Sequence, residues 1–222
     1  TTSASAHVVA SSGEFSMQQT EGQIELSFQL EHSETRFDMR QVHLQGEELT
    51  RSVQKIDPLI LDLDGDGFDL TQAGSGGSFD IDADGTLDQT AWVRGDDALL
   101  FVDRNGNERP DNGKELLGDQ NGATNGFAEL ARYDDNHDRV INKHDSVFRA
   151  LRLYRDLNGD GQVQLGESTT AEQAGVSAIN LEFFRDGRTI NGNDLLLRGS
   201  FTTSDGKTNT IADFLLGYRS GA

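Results

Sequence analysis

This chain sets 38 acidic side chains against 19 basic ones over 222 residues, a formal net charge of −19. Such a surface repels phosphate backbones, and no Lys/Arg stripe interleaved with aromatics offsets it, which argues against nucleic-acid binding. No run of about 18 apolar residues is present to span a membrane, and the lack of cysteine removes disulfides and thiol catalysis.

With 34% hydrophobic residues the chain can bury one core of ordinary size and a small second unit. Residues 1–20, rich in Ser, Thr, Ala and Gln, read as a flexible N-terminal segment. Thr1–Ala10 carries neither the charged nor the apolar region of a secretory signal. Residues 21–56 read as a small β-rich region and connector. Ile24, Leu26, Phe28 and Leu30 alternate with polar partners, Phe37, Met39, Val42 and Leu44 form a second run, and together they predict a hairpin. The polar stretch Gln45–Lys55 then leads into the apolar strand Ile56–Leu61, and residues 57–222 read as the principal unit.

Calcium takes about six to eight hard oxygen ligands. A twelve-residue loop supplies them from positions 1, 3, 5, 9 and 12 and from the carbonyl of position 7, with glycine turning the chain at position 6. Residues 156–167 fit throughout, with Asp156, Asn158, Asp160, the Gln162 carbonyl, Gln164 and Glu167 as ligands and Gly161 at the turn. Four earlier stretches repeat the pattern. Asp62, Asp64 and Asp66, with Gly67 and the Phe68 carbonyl, open a first loop. Asp80, Asp82, Asp84, the Thr86 carbonyl and Asp88 make a second, with Gly85 at the turn. These two reach Ala73 and Ala91 at position 12 and need ligands from elsewhere.

Asp103, Asn105, Asn107, the Arg109 carbonyl and Asp111 make a third loop, with Glu108 at the glycine position and Glu115 standing in for Lys114 as the closing ligand. Asp134, Asn136, Asp138, the Val140 carbonyl, Asn142 and Asp145 make a fourth, with Arg139 at the glycine position. The 22 residues from Asp134 to Asp156 leave room for one shared helix, about His144–Arg155, with Val147, Phe148, Leu151 and Tyr154 at helical spacing. That arrangement is closer to a dockerin pair than to a calmodulin pair. The 18 residues from Asp62 to Asp80 include Gly74–Ser78, turn chemistry that places the first two loops on β-hairpins.

Beyond the loops, Ala178–Phe184 reads as a strand, Ser204–Lys207 as a hairpin turn and Ile211–Tyr218 as a closing helix. The expected fold is α+β: small β-hairpins, EF-hand-like or dockerin-like calcium loops and short helices. Gly206-Lys207-Thr208 lacks the earlier glycine of a phosphate loop, which would fall at Phe201. His137 and His144 make a poor zinc site without cysteine. Trp92, Phe101 and Phe127 read as core, and Asp96-Asp97 as a solvated turn.

From Asp57 to Glu167 there are 24 acidic and 10 basic side chains, which places −14 of the net charge in the loop region. Without cations these carboxylates repel one another, so the calcium-free chain is expected to be expanded and calcium to act as a folding switch.

Asp57-Pro58 is the one place where the backbone itself invites chemistry. An aspartate carboxylate can attack its own main-chain carbonyl to form a five-membered cyclic anhydride, with the proline nitrogen as the leaving amine. An aligned intramolecular carboxylate enjoys an effective molarity of roughly 10⁵ M. The ordinary alternative is a strand entry, where proline is well tolerated.

Asp57-Pro58-Leu59-Ile60-Leu61-Asp62-Leu63-Asp64-Gly65-Asp66-Gly67, followed by Asp103–Asn107, Asp111–Gly113, Glu115–Asp119 and Asp156–Gly161, resembles the self-processing module of FrpC-type RTX proteins. The resemblance runs from Asp57 to the C-terminus. It implies calcium-triggered cleavage after Asp57, Pro58 as the new amino terminus, and hydrolysis of the new aspartyl end or its capture by a lysine-bearing protein acceptor as an isopeptide. It also implies a secreted or cell-surface bacterial protein. The glycine-rich nonapeptide of an RTX β-roll is absent from this sequence. Two competing readings involve no reaction: a calcium-stabilised structural or adhesive module, and a dockerin-like module presenting the helix His144–Arg155.

Overall fold

The computed structural model describes residues 4–10, 13–20 and 23–29, and residues 54–220 apart from 73 and 165. The chain divides into two compact units, Thr1–Ser52 and Val53–Ala222. In the first, β1 (Ala4–Ala10), β2 (Gly13–Thr20) and β3 (Gln23–Gln29) form an antiparallel meander. The stretch expected to be flexible therefore carries β1 and β2. Its alternation of Phe15 and Met17 with Glu14, Ser16 and Gln18 has the period of a strand, which composition alone conceals. The expected partner run Phe37–Leu44 lies outside the described residues.

In the second unit twelve described strands join in one sheet. Its central path contains β5 (Leu59–Leu61), β8 (Ala98–Val102), β9 (Val140–Asn142), β10 (Leu151–Tyr154), β11 (Ser168–Thr170), β12 (Val176–Asn180), β14 (Asn193–Thr203) and β15 (Thr208–Arg219). In space these run β11-β10-β8-β5-β15-β14-β12-β9, with every described pairing antiparallel. Off this path lie β4 (Gln54–Ile56), β6 (Ser78–Phe79), β7 (Asp88–Thr90) and β13 (Phe184–Ile190). The expected turn at Ser204–Lys207 joins β14 to β15.

The α+β expectation is overturned, because the described residues are mostly strand. Their single α-helix is the five-residue α1 (Gly126–Leu130), capped by the Asn125 side chain, which accepts from the Ala128 N–H at 2.8 Å. In place of the expected helix His144–Arg155 stand a 3₁₀ turn at Ser146–Arg149 and strand β10. In place of the expected closing helix Ile211–Tyr218 stands the long strand β15. The loops therefore sit between strands and turns, not between EF-hand helices.

The physical reason is that both faces of this sheet are covered. Leu59, Leu61, Leu100, Leu151, Leu153 and Ile211 belong to one apolar cluster; Ile60, Leu99, Phe101, Tyr154, Phe214 and Leu216 belong to the other. A strand buried on both sides reads as a continuous apolar run, which periodicity cannot separate from a buried helix. Trp92, Phe101 and Phe127 are core side chains as expected.

Candidate functional site

All five loops share one backbone signature. Position 6 has positive φ whether it is Gly67, Gly85, Glu108, Arg139 or Gly161, and so does position 4, at Gly65, Ala83, Gly106, His137 and Gly159. The opening aspartate holds that turn. Asp62 accepts from the N–H groups of Gly65 and Gly67 at 2.7 and 3.1 Å, and Asp156 from those of Gly159 and Gly161 at 2.7 and 2.8 Å. Asp103 accepts from Gly106 and Glu108, Asp80 from Asp84 and Gly85, and Asp134 from Arg139. The residue at position 3, whether Asp64, Asp82, Asn105, Asn136 or Asn158, accepts from the N–H two residues on. Glu108 and Arg139 thus occupy the glycine position without changing the turn.

A second carboxylate closes each of the last four loops. Glu167 accepts from the second-position N–H of Leu157 at 3.2 Å and from the Gln164 N–H at 3.1 Å. Asp145 accepts likewise from Asp135 and Asn142, both at 2.9 Å. Glu115 accepts from Arg104 and Asp111 at 3.1 and 3.0 Å, so one residue of displacement leaves its role intact. In the second loop Asp88, fully buried, accepts from the Ile81 N–H at 3.0 Å. The fourth and fifth loops also carry the position-5 carboxylates Asp138 and Asp160, which accept from Val140 and Gln162.

The donor set fits a hard divalent cation. Carboxylate oxygens of Asp62, Asp64 and Asp66 lie within 4.8 Å of one another, as do those of Asp80, Asp82 and Asp88. Asp134 Oδ1 is buried without a hydrogen-bond partner. A buried carboxylate oxygen in that position is costly unless something satisfies it, and a hard cation such as calcium has ligand preferences that fit this oxygen-rich set.

Asp96 and Asp97, read as a solvated turn, are instead set against the first loop. Asp97 is only 2% exposed and accepts from the Asp69 N–H at 2.5 Å. Burial pushes the Asp97 carboxyl up to about 8, with the charges of Asp62, Asp96 and Asp66 adding to it. The Asp64 carboxylate is held down chiefly by a hydrogen bond shared with Asp96.

Asp57 and Pro58 are both buried, between β4 and β5. The Asp119 N–H donates to Asp57 Oδ1 at 2.6 Å, the Leu59 N–H to the Leu117 carbonyl at 2.9 Å, and the Phe214 N–H to the Pro58 carbonyl at 3.1 Å. Gly118 packs directly on the Asp57 main chain: a Cβ there would stand 2.7 Å from the Asp57 carbonyl oxygen. Across the ladder from Leu59 stands Asp213, fully buried, whose Oδ2 accepts from the Gly126 N–H at 2.8 Å while its Oδ1 has no hydrogen-bond partner. Burial, then the charge of Asp213 and the neighbouring Asp119, push the Asp57 carboxyl up to about 8. Burial pushes Asp213 up to about 7, against the Gly126 N–H, which pulls it down. The pocket therefore holds two carboxyl groups that retain protons near neutrality.

A model of the SPM domain matches residues 59–217, most of the second unit. The chain belongs to the SPM-domain family. The matched segment begins two residues after Asp57. The chain is also similar to the iron-regulated protein FrpA of Neisseria meningitidis serogroup C, 42% identical over 169 residues. That alignment covers 72% of this chain and 15% of the relative, so the chain spans a small part of the curated relative it matches. Both matches agree with the Frp-type kinship implied by the Asp57–Gly67 motif.

Within this SPM domain, spacing alone identified the oxygen-bearing side chains that hold each loop's turn. It did not bring in Asp96 and Asp97, or Asp119 and Asp213 beside Asp57. Each of these meets its partner only through strand pairing or a chain reversal, and Ile211–Phe214, buried at every position, offers no alternation that would place Asp213 on a strand.

Proposed function

We propose that the five loops bind calcium and that the calcium-loaded SPM domain breaks its own Asp57–Pro58 peptide bond. The enclosure of Asp57 carries this reading: its carboxyl and its own main-chain carbonyl are confined together beneath Gly118 and Asp119, beside the proton-retaining Asp213. When bound, calcium supplies charge neutralisation to the loop carboxylates and so favours the folded pocket.

In the reaction, an ionised Asp57 side-chain oxygen attacks the carbonyl carbon of the same residue. The C–N bond to Pro58 breaks, and the proline nitrogen takes up a proton, for which the buried Asp213 carboxyl is the source. The product is a five-membered cyclic anhydride at residue 57 with Pro58 as a free amine. Water opens the anhydride to two carboxyl groups and releases the proton that restores Asp213. A lysine amine opens it to an isopeptide instead. Confinement supplies the acceleration, since nucleophile and electrophile belong to one residue.

The acceptor would be a lysine-bearing protein, on another copy or another chain. Of this chain's own lysines, Lys55 is ion-paired with Asp194 at 2.7 Å and Lys207 with Asp205 at 3.0 Å; the others are Lys114 and Lys143. The setting we infer is a larger bacterial protein that meets calcium outside the cell. Among the described residues no helix is long and apolar enough to cross a membrane.

The test compares wild type with Asp57→Asn in about millimolar calcium, a level suited to extracellular modules, and in chelator. Fragments in wild type with calcium, and none in the other three samples, support the reading. The shared hydrogen-bond pattern of the loops favours a second reading, a calcium-stabilised structural module without chemistry, which predicts intact chains throughout. The dockerin-like alternative loses its interface, since His144–Arg155 forms no helix.

A further inference from the structure

We infer that Asp97, with Asp96 beside it, closes the first loop into a calcium site that spans the β5–β8 ladder. This rests on the calcium part of the proposed function and not on the cleavage part. The other four loops each have a carboxylate that accepts from main-chain N–H groups of its own loop, and each finds it within the next few residues of chain. The first loop reaches Ala73 instead. Asp97 takes over that place from the far side of the sheet. Its Oδ2 accepts from the Asp69 N–H, at the late end of the loop, as Glu167 accepts from Gln164 and Asp145 from Asn142.

Asp97 Oδ1 is buried and without a partner, as is Asp96 Oδ2. The register sets Asp97 beside the start of the first loop. Leu61 pairs with Ala98, so the antiparallel ladder continues directly to Asp62 and Asp97. Like charges placed opposite one another across a ladder destabilise it. Among the described residues no Lys or Arg makes an ion pair with Asp62, Asp64, Asp66, Asp96 or Asp97. Asp62, Asp64 and Asp66 hold oxygens within 4.8 Å of one another, and Asp96 and Asp97 stand beside them with no cationic side chain paired to the set; Asp97, deeply buried with a free oxygen, is the carboxylate that can complete a site for a divalent ion.

The location gives this ion a distinct task. β5 begins one residue after Pro58 and ends one residue before Asp62. A cation bridging Asp62 to Asp97 therefore pins the far end of the strand whose near end seats Asp57-Pro58. Of the five loops, the first is the one joined to the scissile bond through a single three-residue strand.

The experiment is calcium stoichiometry of the full chain, by native mass spectrometry and titration calorimetry, for wild type, Asp97→Asn, Asp62→Asn and the double variant. In Asp97→Asn the side-chain amide can still accept from the Asp69 N–H but brings no charge. The expected result is one ion fewer in each single variant and no further loss in the double. Asp97→Asn binding as many ions as wild type, while Asp62→Asn loses one, overturns the inference and leaves calcium binding intact. Wild type binding no calcium removes both. Where Asp97→Asn does not fold, hydrogen exchange on wild type decides: residues 63–67 and 95–97 should gain protection at one calcium concentration, and separate midpoints overturn the inference.

Discussion

The main-chain N–H of Asp119 donates to the Asp57 carboxyl at 2.6 Å, joining two residues 62 apart in sequence. This bond ties the residue between β4 and β5 to the turn that follows the third loop. It also holds one oxygen of Asp57 in place against its own main chain, so the order of that turn and the geometry of the Asp57–Pro58 bond are linked.

Proton affinity in this pocket sets a pH dependence. Asp57 and Asp213 ionise near 3.8 when unperturbed, whereas the folded pocket raises them to about 8 and about 7. Between those limits the folded chain binds more protons than the unfolded one, so its stability falls as pH rises. At saturating calcium, where the pocket is folded, the melting temperature followed by circular dichroism should drop between pH 5 and pH 8. A rising or flat profile would count against the protonated pocket. Scission needs Asp57 ionised and Asp213 protonated, so its rate in calcium should peak between about 7 and about 8 and fall on both sides.

Gly118 is held to glycine by space alone. Gly118→Ala places a methyl group 2.7 Å from the Asp57 carbonyl oxygen, and the scissile bond must shift away from its neighbours. Cleavage should slow by roughly 10²-fold, with calcium stoichiometry unchanged. Rates equal to wild type in a gel-based time course would show that this contact does not position the bond.

Glu108 and Arg139 occupy left-handed backbone at φ of 66° and 67°. Replacing either with glycine removes strain worth about 1 kcal/mol, against an exposed ion pair of Arg139 with Glu182 and a 3.6 Å pair of the exposed Glu108 carboxylate with the largely buried Arg152; pairs with a solvent-exposed partner contribute little. Each variant should unfold at higher denaturant than wild type. Lower midpoints would mean that the side chains stabilise their loops in another way.

Glu115 closes the third loop from one residue beyond the regular position. Glu115→Gln keeps an acceptor for the Arg104 or Asp111 N–H but loses the charge, so calorimetry should show one site weakened by about ten-fold or more. An unchanged isotherm would assign that loop a different closing ligand.

The turns of the five loops were legible in sequence because the side chains that hold each one lie within one turn of chain and need only spacing to be read. Glu115 was legible for the same reason, one residue out of register. Asp97 was not, since it stands 35 residues beyond Asp62 and arrives through the pairing of Leu61 with Ala98. The α+β expectation failed at Leu151–Tyr154 and Ile211–Tyr218 because apolar cover on both sides of a sheet erases the alternation that marks a strand. Asp213, in the middle of that misread segment, could not be matched to Asp57 until the segment was a strand.

Scission after Asp57 is read directly by intact-mass analysis of the full chain. Calcium-free protein brought to about millimolar calcium should give masses for residues 1–57 and 58–222, or a lysine-linked adduct of the first, while Asp57→Asn stays whole. A wild-type chain that binds calcium, folds and keeps its full mass would contradict the account and leave a calcium-stabilised structural module.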